Sequence, residues 1–127
     1  MKVLLSIKPE YADRIFSGEK RFEFRKALFK NSDVKTVVVY ATMPVGKVVG
    51  EFEIDAIIKE RPSKLWQLTS EFAGITKAFF ESYFYGRDAG YAIGVKKATR
   101  YDNPIDLKTL LPAGVPPQSF CYLTGAS

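Results

Sequence analysis

Three segments of this chain alternate polar and apolar residues with a period of two. Lys20 to Lys26 sets Phe22 and Phe24 on one side and Arg21, Glu23 and Arg25 on the other. Lys47 to Ile58 sets Phe52, Ile54 and Ala56 opposite Glu51, Glu53 and Asp55. Asp88 to Tyr101 sets Tyr91, Ile93 and Val95 opposite Gly90, Ala92 and Gly94. Successive side chains of a strand point to opposite faces, so this period marks half-buried strands. Strands of that kind pair mostly antiparallel.

The remaining elements fit around these strands. Val3 to Lys8 is a short apolar run and reads as a strand. Pro9 suits the first turn of a helix, where its missing N–H costs nothing. Tyr11, Ala12, Ile15 and Phe16 then share a helical face, and Gly18 is a natural stop. Val34 to Thr42 carries Val37-Val38-Val39-Tyr40-Ala41, a central strand by its β-branched content. Met43-Pro44-Val45-Gly46 breaks it. Pro62 to Thr69 and Thr76 to Tyr85 read as helices, the second with Ala78, Phe79, Tyr83 and Phe84 as an apolar stripe. After Val115-Pro116-Pro117, Gln118 to Leu123 reads as an edge strand. The glycine stripe on the last long strand marks close approach by a packed helix or by a ligand.

The expected fold is α+β: a mostly antiparallel, partly closed small β-barrel of five to six strands with two to three short helices. Phe22, Phe24, Val39, Phe52, Ile54 and Ile93 are expected in one core. Residues 1–127 are read as one domain, a size that buries a substantial core.

Absences narrow the chemistry. The chain has no His and one Cys, so His-based triads and the usual Cys/His zinc sites are excluded. No phosphate-cradling Gly-rich loop is present. No metal or cofactor is therefore expected. Cys121, in an apolar strand, reads as an inert small hydrophobe. Val3-Leu4-Leu5 is too short for the apolar core of a signal peptide, and no apolar run approaches a membrane span, so the expected location is cytoplasmic. A net charge of +5 favours polyanionic partners.

Several residues are candidates for a site. Lys8 stands before a helix start, where free N–H groups favour phosphate or carboxylate; the plainer reading is a solvated surface lysine. Arg21, Glu23 and Arg25 recur roughly 6.5–7 Å apart along their strand. They form either an exposed charge ladder or the mouth of a cleft. In a cleft, Glu23 would accept hydrogen bonds from exocyclic amines and Arg25 would offer a bidentate fork. Lys20 opens this strand, and a desolvated lysine near other cations can serve as base or nucleophile. Against that, the Glu23 carboxylate favours the protonated amine. Trp66, near Lys64, and the cluster Phe79, Phe80, Tyr83, Phe84 and Tyr85 are chiefly core by type, with Tyr85 the most exposed; bases stack on such rings.

The order of certain motifs resembles the ASCH domain family of the PUA-like superfamily. They are Leu5-Ser6-Ile7-Lys8-Pro9-Glu10-Tyr11, Gly18-Glu19-Lys20, Phe22-Glu23-Phe24-Arg25-Lys26, Val38-Val39-Tyr40-Ala41-Thr42, Gly50-Glu51-Phe52 and Pro116-Pro117-Gln118-Ser119-Phe120. The resemblance implies a PUA-like barrel that binds RNA or modified nucleotides in a basic cleft beside the first helix. Lys8, Lys20 and Arg25 would hold phosphate or carbonyl oxygens, Glu23 would read amine donors, and Tyr40 and Thr42 would line the cleft. It also implies an enzymatic alternative, in which Lys20 acts with Glu23 or Glu71 as an N4-acetylcytidine amidohydrolase or a ribonuclease. The amidohydrolase branch carries a threonine where this chain has Glu23, and its glutamate falls near Glu71. A regulatory interaction module is a third reading.

Overall fold

The computed structural model describes residues 1–123. Strand β1 (Lys2–Ile7) leads into helix α1 (Pro9–Ser17), then β2 (Phe22–Arg25), β3 (Thr36–Ala41) and β4 (Lys47–Glu60). Helix α2 (Pro62–Thr69), a 3-10 turn (Ser70–Phe72) and α3 (Lys77–Tyr83) follow. Strand β5 (Gly90–Ile105), a one-turn helix α4 (Leu107–Leu110) and β6 (Phe120–Leu123) complete the order.

The six strands form one sheet in the order β2-β5-β4-β3-β1-β6. Four of its pairings are antiparallel and one, β1 with β3, is parallel. The parallel pair follows from α1 and β2 intervening: a crossover of that length lets β3 return alongside β1 in the same direction. Hydrogen bonding leaves β2 and β6 as edges. The sheet curls until those edges approach each other, and Arg25 of β2 spans the gap. Its Nη2 donates to the Ser6 carbonyl of β1 at 2.8 Å, and its Nη1 to the Ser119 carbonyl, just before β6, at 3.5 Å. The mixed α+β architecture is thus barrel-like without a closing strand pair.

The helices read from the sequence form where their punctuation places them. Pro9 opens α1, and Gly18 closes it with φ +88°, donating to the Ile15 carbonyl at 3.2 Å. Ala12 and Ile15 are its buried face. Thr76 caps α3 by accepting from the Phe79 N–H at 3.1 Å.

The interior departs from the expected single core. Val39, Phe52 and Ile93 share one cluster with β1 and α1, and Ile54 packs on it. Phe24, with Phe22 against it, belongs to a second cluster with Leu65, Ala73, Phe80 and Phe84 beneath α2 and α3. A third gathers Leu4, Val38, Tyr40, Val48 and Leu107. The split arises because the curled sheet is covered on both faces: β2 turns Phe24, with its partner Ala92, toward α3, while the adjacent Ile93 packs in the cluster that holds α1. The glycine stripe is filled by protein. A Cβ at Gly90 would strike the Phe84 ring, and one at Gly94 would come within 2.8 Å of the Ala56 carbonyl. Strand β5 also continues to Ile105, past the expected end at Tyr101, through polar residues that the hydrophobic pattern does not mark.

Candidate functional site

A cavity of about 140 Å³ opens between the end of β1, the start of α1, the edge strand β2 and the inner face of α3. Lys8, Tyr11, Lys20, Glu23, Arg25 and Phe79 are among its walls, with Phe24 and Tyr83 completing an aromatic lining. The punctuation of the chain explains this meeting. The left-handed turn at Gly18 reverses the backbone, so Lys20 returns beneath α1, its N–H bonded to the Arg14 carbonyl at 2.9 Å. The chain then enters β2 and turns Glu23 and Arg25 toward the same space.

Lys20 is the central feature. It is only 2% exposed, the one buried lysine among the described residues. Its Nζ donates to the Ala73 carbonyl at 2.9 Å and lies 4.7 Å from the Phe24 ring centroid and 5.7 Å from that of Tyr11. Cation–π attraction from two rings offsets part of the desolvation cost. Burial nevertheless pushes the amine down to about 8; Glu23 opposes the shift, while Arg14 and Arg25 add to it. Glu23 thus favours the protonated amine, as its charge leads one to expect, and desolvation outweighs it.

Glu23 is 8% exposed, and its Oε2 lies 3.1 Å from Arg25 Nη2. The fork of Arg25 is thus divided between this ion pair and the two carbonyls that hold the sheet edges, and its buried Nε has no partner. Arg21 leaves the cavity. Its guanidinium rests 4.2 Å from the Phe72 ring centroid, and its backbone bonds to Phe72 and Val95. The charged side of β2 is therefore neither a solvent-facing ladder nor a uniform cleft wall.

Lys8 is exposed at the rim, its Nζ 5.2 Å from the Phe79 ring centroid and 6.0 Å from Tyr11. It occupies the N-cap position of α1 with no side-chain cap bond. Tyr11 and Phe79 meet edge to face at 5.5 Å, so the rim itself is aromatic. Burial raises the phenols of Tyr11 and Tyr83 above their usual value, with Glu10 adding to the effect on Tyr11.

The structure brings Lys8, Lys20, Glu23 and Arg25 together and leaves three other candidates apart. Tyr40 is buried in the third hydrophobic cluster. Thr42 lies beyond β3, its N–H bonded to the Ile7 carbonyl at 3.0 Å, and it is not on the cavity wall. Glu71 is exposed in the 3-10 turn and is also off the wall. Sequence reasoning missed Ala73 and Gly74, which hold Lys20, and Arg14, whose Nη1 donates to the Gly74 carbonyl at 2.8 Å. The available signal was a glycine between two helical segments. Among the described residues, no cluster of three or more His, Cys, Asp or Glu is arranged to hold a metal ion. No helix among them is long and apolar enough to cross a membrane.

Comparison with known proteins agrees with the fold and the order of motifs. The chain is 36% identical over 106 residues to large ribosomal subunit protein uL22 of Ureaplasma parvum, covering 83% of this chain and 34% of that protein. This chain thus spans only a minor part of that relative's length. It is 29% identical over 124 residues to an ASCH domain-containing ribonuclease of Zymomonas mobilis, covering 96% of this chain and 84% of the relative. The crystal structure of ASCH from Zymomonas mobilis aligns with a TM-score of 0.89 at 29% identity, covering 96% of this chain and 87% of that one. A model of the ASCH domain matches residues 5–103, and with that match the chain belongs to the ASCH domain family.

Proposed function

We propose that this protein binds RNA, or a nucleotide derived from it, in the cavity beside α1. The observation that carries this reading is the convergence of Lys20, Glu23 and Arg25 on a cavity walled by Tyr11, Phe24, Phe79 and Tyr83. An unpaired base entering there would meet aromatic rings, a contact worth roughly 1–3 kcal/mol. Its polar edge would meet an acceptor-only carboxylate and a donor-only ammonium, which fix its orientation. Lys8 at the rim would meet the adjoining phosphate. The net charge of +5 favours the approach of a polyanion.

A second reading, cleavage of RNA, is favoured by Lys20. An amine brought down to about 8 is a competent proton acceptor near neutral pH. The Zymomonas mobilis relative, named a ribonuclease, adds weight to it. Amidohydrolysis of N4-acetylcytidine has less support, because Glu23 stands where that branch has a hydroxyl and Glu71 is exposed away from the cavity.

The test is a filter-binding and turnover screen with RNA oligomers and modified nucleosides at two salt concentrations. The binding reading requires salt-sensitive retention that Lys20→Met weakens, without product. Product that disappears in Lys20→Met would move the assignment to the enzyme class. Absence of both retention and product would overturn the RNA reading.

A further inference from the structure

We propose that the cavity captures aldehydes covalently: Lys20 forms a reversible imine with the ring-opened sugar of an abasic nucleotide in RNA. The inference rests on the RNA reading of the cavity and assigns it a chemical specificity. An intact nucleotide would fill the space with its base. An abasic nucleotide has no base, so the same space admits the sugar, whose open form carries an aldehyde at C1′.

Three features place a nucleophile there. Lys20 Nζ has one hydrogen-bond partner, the Ala73 carbonyl, so two further positions on the nitrogen are uncommitted among the described residues. Its stem is held on one side by Gly74, whose hypothetical Cβ would collide with Lys20 Cβ and Cγ. Phe24 and Tyr11 hold the other end. The nitrogen is therefore fixed at the cavity wall, unlike the mobile head of a surface lysine. Burial also makes the neutral amine accessible: at about 8, roughly one amine in ten is unprotonated at pH 7, against about one in three thousand for an ordinary lysine.

The reaction balances without an added oxidant or reductant. The Nζ lone pair attacks C1′, and the carbonyl π electrons move to oxygen, giving a carbinolamine. Glu23, on the same wall, carries the proton released from nitrogen to that oxygen, and a second proton, taken up from solvent through the same carboxylate, converts the hydroxyl into the leaving water. Water leaves and the iminium forms. Hydrolysis reverses each step. Arg25, already paired with Glu23, holds that carboxylate in position.

The experiment incubates the protein with an RNA oligomer carrying one abasic ribose, adds cyanoborohydride to reduce any imine, and maps the adduct by mass spectrometry after digestion. Binding of the same oligomer is followed by fluorescence anisotropy. The expected result is an adduct on Lys20, formed at least tenfold faster than on Lys8 or Lys26, with a rate that is half-maximal near pH 8 and levels off above it. Lys20→Arg, shown folded by circular dichroism, should lose it. Mapping in the native protein decides the matter even where that variant does not fold. An oligomer that binds but reacts only on exposed lysines overturns the capture and leaves RNA binding standing. An oligomer that neither binds nor reacts overturns both.

Discussion

Gly74 lies directly against the stem of Lys20. Its φ of +67° belongs to the left-handed region, and a side chain there would be forced into Lys20 Cβ and Cγ. Both effects oppose any larger residue: the backbone conformation costs roughly 1–2 kcal/mol, and overpacking adds typically 1–3 kcal/mol. Gly74→Ala should therefore lose about 2–5 kcal/mol in urea unfolding. It should also weaken RNA retention in molecules that remain folded, because Lys20 must move. A variant as stable as the wild type would show that the two residues do not constrain each other.

The titration of Lys20 gives a signed pH dependence. Its amine is brought from 10.5 to about 8 in the folded state, so between those values the unfolded chain binds more protons. Stability then rises with pH across this window. Below it, the amine is charged in both states and folding carries the full burial cost, about 3 kcal/mol. Between about pH 7.5 and 9.5, wild-type stability should gain about 2 kcal/mol relative to Lys20→Met. The phenols of Tyr11 and Tyr83, raised by burial, are present in both proteins, so their titration cancels in this comparison. Parallel curves for the two proteins would place the lysine in water.

Arg25 holds structure as well as charge. Replacement by Ala removes the partner of the buried Glu23 carboxylate and both carbonyl bonds across the sheet edges. Breaking a buried pair from one side costs about 3–5 kcal/mol. Arg25→Ala should lose stability on that scale, and Arg25→Ala with Glu23→Gln should recover part of it. No recovery in the double variant would mean that the carbonyl bonds account for the loss.

Lys8 should behave in the opposite way. It is exposed and makes no ion pair among the described residues, so Lys8→Ala should change stability by less than about 0.5 kcal/mol. If it meets one phosphate, the variant should bind RNA more weakly and reduce the slope of affinity against salt by about one. An unchanged slope would remove Lys8 from the phosphate path.

Much of this was legible because local and global signals agree. Pro9 and Gly18 bracket α1, and the period of two in Lys20–Lys26 and Lys47–Ile58 reports strands that are indeed paired. The grouping of Lys20, Glu23 and Arg25 was legible because they lie within six residues of one another. What the pattern could not reveal depends on distant partners. Nothing near Phe24 says that α3 will cover it, so its separation from Val39 into another cluster was hidden. Tyr40 reads as a polar-tipped residue near a strand end, yet β-branched neighbours and α4 enclose it. The family resemblance put a glutamate near Glu71; the 3-10 turn leaves that residue exposed, while the Ala73 carbonyl just after the turn accepts from Lys20.

The bond from Lys20 to Ala73 joins residues 53 positions apart, and that from Arg25 to Ser119 joins residues 94 apart. Contacts of such range carry a loop-closure cost that must be met before any gain from them. The cavity thus has no counterpart in a half-folded chain: β2 has no wall until β5 pairs with it, and Lys20 has no acceptor until the segment after α2 arrives. A ligand that recognises the finished cavity therefore binds the native protein and not the unfolded chain, and it stabilises the fold by an amount that grows with its concentration.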